Sequence, residues 1–112
     1  MNSKWIKEFP IAVTICDNDG TITEMNDKAA ETFKDDGGYG LIGKNLLGCH
    51  SDESNEKIRK IMESEKPNIY TIEKNGKKKL IYQAPWFEGG KMNGLVELSI
   101  EIPHDAPHFI RE

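Results

Sequence analysis

The sequence predicts a domain of the α+β class, and three observations lead to this prediction. Strand-like runs stand at both ends of the chain, two within the first 25 residues and three from residue 68 onward. Runs with helical spacing lie between them. The length of 112 residues is that of one domain and is sufficient to bury a single core. Strands, then helices, then strands is the order typical of an α+β fold.

The first predicted element is a β-hairpin followed by a short helix. Residues 11–16 and 21–25 are strand-like, and Asp17-Asn18-Asp19-Gly20 between them has the residue types that tight turns require. Asn26 is a suitable helix N-cap, because its side-chain oxygen can accept a hydrogen bond from an unpaired backbone N–H. The apolar face of this helix consists of Ala29, Ala30 and Phe33.

The middle of the chain predicts a loop and further helices. Residues 35–40 are rich in glycine and are predicted to form a loop, since glycine inside a helix costs about 1 kcal/mol relative to alanine. Ser51 can cap a longer helix, whose apolar residues repeat with helical spacing and which ends before Pro67.

The last part of the chain predicts three antiparallel strands. Residues 68–73 and 79–87 are joined around Asn75-Gly76, a strong signal for a two-residue hairpin turn. Residues 88–91 form a second turn, and in residues 96–102 apolar side chains alternate with glutamate and serine. The last strand therefore has one buried face and one exposed face.

The strand at residues 79–87 is apolar on both faces. Tyr82 and Trp86 share one face, with Ile81 and Phe87 opposite. Tyr82 and Trp86 would line a ligand pocket if their face points inward and a dimer surface if it points outward. The apolar side chains on both faces must be shielded from water, either by a helix around Trp5 or by a second chain. We therefore expect a homodimer, with residues 1–9 as a helical lid or as the dimer contact.

The composition excludes several classes of protein. Charged residues make up 30% and apolar residues 37% of the chain, and the net charge is −4, which is typical of a soluble domain and argues against a nucleic-acid partner. No run approaches the roughly 18 apolar residues that cross a membrane, and the N-terminus lacks the apolar core of a signal peptide. We expect a cytoplasmic protein with no membrane partner, in which Cys16 and Cys49 are free thiols.

The quoted residues resemble the opening of a PAS domain, which is an apolar strand, a D-x-x-G turn, a strand and then N-x-A-A-x-x-F. Asp17-Asn18-Asp19-Gly20 matches the turn, and Asn26 with Ala29, Ala30 and Phe33 matches the helix with one residue inserted. Residues 41–47 are similar to the h-x-G-x-x-L element of PAS domains, a short helical segment that closes one side of the pocket, with Gly43 and Leu46 at the matching positions.

The resemblance implies a complete architecture. A PAS-like domain would occupy residues 10–103, with residues 104–112 as a C-terminal tail. Its fold would be a five-stranded antiparallel sheet of strand order 2-1-5-4-3 with short helices packed on one face.

The resemblance also implies where a ligand would lie. Haem- and flavin-binding PAS domains hold their cofactors near the start of the long helix, where Cys49 and His50 stand. His50 would hydrogen-bond a backbone carbonyl, contact a small organic ligand, or ligate a haem iron with Met92 or another side chain opposite. A flavin photoreceptor is rejected, because the residues flanking Cys49 lack the asparagine, arginine and phenylalanine of those sensors. The candidate pocket residues are Phe33, Leu46, Cys49, His50, Tyr82 and Trp86.

The predicted function is a non-enzymatic sensory module. It would bind a small ligand or a protein partner, such as a signalling protein in trans, and relay the change through the packing of its sheet. No phosphate-binding loop, nucleophile elbow, zinc-protease motif or paired-cysteine motif occurs in the sequence, and no metal site is expected. The alternatives are a ligand-free homodimerisation domain and a haem-binding sensor that uses His50.

Overall fold

The computed structural model describes residues 4–45 and 52–112, except for the side chains of residues 52–55 and 57. Two short 3-10 helices, Lys34–Asp36 and Gly38–Leu41, lie between the α-helices of this part of the chain. In chain order the α-helices and strands are α1 (Lys4–Lys7), β1 (Ala12–Cys16), β2 (Ile22–Met25), α2 (Asp27–Thr32), α3 (Asp52–Ser64), β3 (Asn68–Lys74), β4 (Lys77–Glu88) and β5 (Lys91–Ile102).

The strands form one antiparallel sheet with the order β2-β1-β5-β4-β3, which confirms the predicted α+β class and strand order. The two longest strands, β4 and β5, have 12 residues each and pair along almost their whole length. The central strand β5 also pairs with β1, so the two ends of the chain meet in the middle of the sheet.

The predicted turns form through local chemistry. In the first hairpin the Asp17 carboxylate accepts hydrogen bonds from the backbone N–H groups of Asp19 and Thr21, at 2.9 and 3.0 Å. In the β3–β4 hairpin Asn75 and Gly76 have φ angles of 54° and 77°. This left-handed pair matches the right-handed twist of the flanking strands, as the sequence predicted.

Three sequence predictions differ from the structure. The last strand has no fully exposed face, because Glu97 and Ser99, which were predicted to be exposed, are half-buried like Val96 and Leu98. The glycine-rich residues 35–40, predicted as a loop, belong largely to the two 3-10 helices, because Gly37 and Gly38 adopt positive φ angles of 122° and 53° that allow successive tight turns. β5 begins at Lys91, five residues earlier than the alternation at Val96 indicated. Gly89 and Gly90 make a two-residue turn, so pairing starts at once between Glu88 and Lys91.

Helices α2 and α3 and the second 3-10 helix cover one face of the sheet, which we call the helix-side face. Phe33 and Leu41 are partly buried and pack against the core on this side. No helix in the described ranges is long and apolar enough to cross a membrane. The buried apolar cluster of the helix-side face contains Ala12, Cys16, Ile22, Met25, Ala29, Ile58, Ile61 and Leu95.

Asn26 joins three segments of the fold. Its side chain is only 1% exposed, and its oxygen accepts hydrogen bonds from the backbone N–H groups of Ala29 and Val13, at 3.0 and 2.9 Å. The first bond confirms the predicted N-cap. The amide nitrogen donates to the carbonyls of Ile6 and Ile11, at 3.0 and 2.7 Å. One side chain therefore holds α1, β1 and α2 together.

Asp27 makes a second, exposed link from α1 to α2. Its carboxylate accepts hydrogen bonds from the Lys7 ammonium, at 3.1 Å, and from the Tyr39 hydroxyl. These two partners, the tyrosine first, lower the pKa of the Asp27 carboxyl below its usual value. A depressed folded-state pKa means that the stabilising contribution is present above the ordinary carboxyl pKa and is lost as pH falls through the lowered value.

We therefore expect the link to break on acidification, which an NMR titration of the Asp27 carboxyl carbon would follow. Tyr39→Phe and Lys7→Met should each raise the pKa of Asp27, since each removes a hydrogen bond to the carboxylate. Lys28→Met is the control, because Lys28 pairs with Glu31. An Asp27 pKa at or above the usual value in the unaltered protein would contradict this expectation.

Candidate functional site

Three polar side chains cross the helix-side face, and we call this set the polar ladder. It consists of Asn68 on β3, Gln83 on β4 and Glu97 on β5, which are direct cross-strand partners. The Asn68 amide nitrogen donates to the Gln83 oxygen at 3.0 Å, and the Gln83 nitrogen donates to the Glu97 carboxylate at 3.0 Å. Direct partners share a face, so the ladder connects three strands through side chains as well as backbone.

The register places the polar ladder beside the core. Glu97 lies opposite Thr14 on β1, and Thr14 alternates with Ala12 and Cys16, both in the helix-side cluster. Gln83 is only 6% exposed, and both the oxygen and the nitrogen of its amide are hydrogen-bonded. A buried amide is stable only while its hydrogen bonds are made, so the ladder is sensitive to any group that competes for them.

Tyr70 stands next to the polar ladder on β3. It is two residues from Asn68 and therefore on the same face. Burial, and then the negative charge of Glu97, raises the pKa of the Tyr70 hydroxyl above its ordinary value. The ring is nevertheless 42% exposed. The helix-side face thus offers an amide, a carboxylate and an accessible phenol, a set that can orient a small polar molecule by hydrogen bonds.

The opposite face of the sheet carries an apolar groove, which we call the outer groove. Val13 and Ile15 on β1 pair with Leu98 and Val96 on β5, and these four side chains form its floor. Trp86 on β4 also lines it. The groove has a volume of about 680 Å³. Residues of the N-terminal segment lie over the floor: Trp5, Ile6 and Phe9.

The predicted pocket residues do not all come together. Phe33 packs on the helix-side core, whereas Trp86 lines the outer groove. Tyr82 is opposite Leu98 and so shares the outer face with Trp86, as their spacing predicted. Phe33 therefore cannot line one cavity with these two aromatic residues. The other three candidates, Leu46, Cys49 and His50, lie outside the described residues.

Sequence reasoning missed the polar ladder, although a weak signal was present. Gln83 interrupts an apolar strand, and Asn68 and Glu97 lie within runs that were predicted to be strands. Only the register reveals that the three residues are neighbours. Among the side chains that the structure describes, no group of three or more His, Cys, Asp and Glu residues is placed to hold a metal ion. Burial raises the pKa of the Cys16 thiol.

Solved structures with the same architecture identify the fold. The C-terminal domain of a protein from Streptococcus mutans matches with a TM-score of 0.70 and 20% identity, over 86% of this chain and 78% of that one. The PAS domain of the histidine kinase ThkA matches with a TM-score of 0.65 and 20% identity, over 80% of this chain and 97% of that one.

A third match is the Aer2 receptor of Vibrio cholerae, described as a dual PAS-heme oxygen sensor. Its TM-score is 0.65 at 15% identity, over 83% of this chain and 95% of that one. No family model matches the sequence, and no curated protein matches it either. The chain is a PAS-like domain by its fold.

Proposed function

We propose that this PAS-like domain is a sensory module that binds a small ligand at the polar ladder and relays binding through its sheet. The observation that carries the proposal is the buried Gln83 amide, which is hydrogen-bonded to Asn68 on one side and to Glu97 on the other. A ligand with its own donor or acceptor would exchange with one of these bonds. The accessible Tyr70 ring beside the ladder offers a further contact.

The relay follows from the geometry of a β-sheet. Successive side chains point to opposite faces, so Gln83 is flanked along β4 by Tyr82 and Ala84 on the outer face. A change in the hydrogen bonds of the Gln83 amide would shift the backbone of β4, and Tyr82 and Ala84 would move with it. The outer face, where the N-terminal segment packs, would therefore report the state of the helix-side face.

The remaining parts of the proposal rest on the sequence. The module has no catalytic step of its own, acts in the cytoplasm and passes its signal to a signalling protein in trans. The predicted pocket residues Leu46, Cys49 and His50 would complete the ligand site together with Phe33. Haem ligation by His50 stays a separate hypothesis.

A second candidate function is homodimerisation, and the edge strand β3 favours it. Ile69 and Ile72 on this strand are 51% and 37% exposed. β3 pairs only with β4, so its outer edge is available in the described part of the chain. An exposed apolar edge strand is a template for pairing with another chain. A second copy of this protein would cover the edge without any ligand.

Native mass spectrometry of the protein purified from cells tests the first proposal. We expect a stoichiometric extra mass on the unaltered protein and its loss in Gln83→Leu, because leucine fills a similar volume without the two hydrogen bonds. Ser99→Ala is the matched control, since Ser99 lies on the same face of β5, two residues from Glu97. The control should retain the ligand.

The same measurement separates the two functions. A dimer of bare chains, with no extra mass, would support the homodimerisation domain and contradict the ligand sensor. An extra mass that persists in Gln83→Leu would show that the ligand does not depend on the polar ladder, and the proposed site would then be wrong.

A further inference from the structure

We propose that two copies of this chain pair through the free edges of their β3 strands, antiparallel about a two-fold axis at Thr71. This inference rests on the homodimerisation candidate above and specifies its interface. β3 pairs only with β4, so one edge of its backbone has no partner strand in the described part of the chain. Unpaired backbone N–H and C=O groups at such an edge can extend the sheet into a second molecule.

The side chains of β3 are exposed along almost the whole strand. Every residue from Ile69 to Lys74 is exposed, and Tyr70 and Ile72 are large apolar residues like Ile69. The other edge strand, β2, is shorter and differs, because Thr23 is its one exposed residue. Of the two edges of the sheet, the β3 edge is therefore the one that exposes apolar surface.

The position of the axis is inferred from symmetry. Direct partners in an antiparallel pair share a face of the sheet, and faces alternate along a strand, so a two-fold axis between two β3 strands must pass through a residue. An axis at Thr71 pairs all seven residues of the strand. An axis at Tyr70 or at Ile72 pairs fewer of them, residues 68–72 or residues 70–74.

The side chains are complementary when the axis lies at Thr71. Tyr70 of each copy is opposite Ile72 of the other, so two aromatic–aliphatic pairs cover apolar surface that is exposed in the single chain. Glu73 is opposite Ile69, and along the seven residues no two charges of like sign face each other. The strand is therefore complementary to itself, as an isologous interface requires.

The polar ladder reaches this interface. Asn68 is the member of the ladder on β3, and its amide nitrogen donates to Gln83 at 3.0 Å. With the axis at Thr71, Lys74 of the second copy is opposite Asn68, and its ammonium group can donate to the Asn68 oxygen. The side-chain hydrogen bonds of the ladder would then continue from one copy to the other.

Charge reversal at Thr71 tests the proposal, because only a residue on the two-fold axis faces its own counterpart. Thr71 is exposed, so Thr71→Lys and Thr71→Glu should both fold. Each variant should weaken self-association about tenfold or more at low salt, because like charges meet at the axis. An equimolar mixture of the two variants should associate at least as tightly as the unaltered protein. Analytical ultracentrifugation over a concentration series measures all four samples.

Thr23→Lys is the matched control, since Thr23 is an exposed threonine on β2, the other edge strand. It should leave self-association unchanged, and high salt should reduce the effect of the Thr71 variants.

Three results would overturn the proposal, and they separate it from the functions proposed above. A dimer that neither Thr71 variant weakens would have a different interface, although homodimerisation would stand. Two weakened variants whose mixture does not recover would show that Thr71 is not on the axis. A chain that stays monomeric at millimolar concentration would contradict homodimerisation itself and leave the ligand sensor unaffected.

Discussion

Gly94→Ala is expected to destabilise the protein by about 3 kcal/mol or more, one of the two largest effects among the substitutions considered. Gly94 lies on β5 with a φ angle of 146°, which L side chains rarely adopt. A β-carbon at this position would overlap the Cys16 carbonyl oxygen and lie 2.9 Å from the Asp17 α-carbon. These are backbone atoms, so no side-chain rotation can relieve the overlap.

The surrounding structure cannot easily move away. Cys16 is buried, and Asp17 begins the hydrogen-bonded turn between β1 and β2. Gly90→Ala is the control, since its φ angle of 81° is also positive but its β-carbon would have no atom within 4 Å. It should cost about 1 kcal/mol, as expected for positive φ alone. Urea unfolding of both variants measures the difference, and equal losses would show that the close contact has no effect.

Gly94 shows why some parts of the fold could be predicted from the sequence and others could not. The Asp17 turn, the Asn26 cap and the Asn75-Gly76 turn depend on residues next to each other in the chain, and all three were predicted correctly. The need for glycine at residue 94 arises from a contact with residues 16 and 17, which are remote in sequence. The residues next to Gly94 in the sequence do not indicate this contact.

The candidate sites show more clearly that contacts between distant residues could not be predicted from the sequence. The spacing of Tyr82 and Trp86 predicted that they share a face, but which face depends on the register between β4 and β5. The Gly89-Gly90 turn sets that register, and an irregularity follows between Trp86 and Phe87. A shift of one residue would have placed Gln83 on the outer face. The polar ladder is therefore a consequence of register that single-strand periodicity cannot indicate.

Asn26→Ala is the second substitution with a large expected effect, a loss of about 3 kcal/mol or more. The helix cap alone accounts for about 1 kcal/mol. The remainder comes from the Val13 N–H and the Ile11 carbonyl, which lose their side-chain partner in a buried setting where each unpaired group costs about 1–3 kcal/mol. Asn18→Ala is the control, because Asn18 is exposed and its donation to the Met92 carbonyl can be replaced by water.

Asn26→Asp separates the two ends of the amide. The carboxylate keeps an acceptor for the Ala29 and Val13 N–H groups and favours the start of α2. It cannot donate to the carbonyls of Ile6 and Ile11, and it places a negative charge against them. We expect α2 to persist while α1 detaches, so that amide hydrogen exchange increases at residues 4–9 and stays unchanged at residues 27–32. Unchanged protection at residues 4–9 would show that the donor end of Asn26 does not hold the lid, and the coupling between α1 and α2 would have to reside in Lys7 and Asp27 alone.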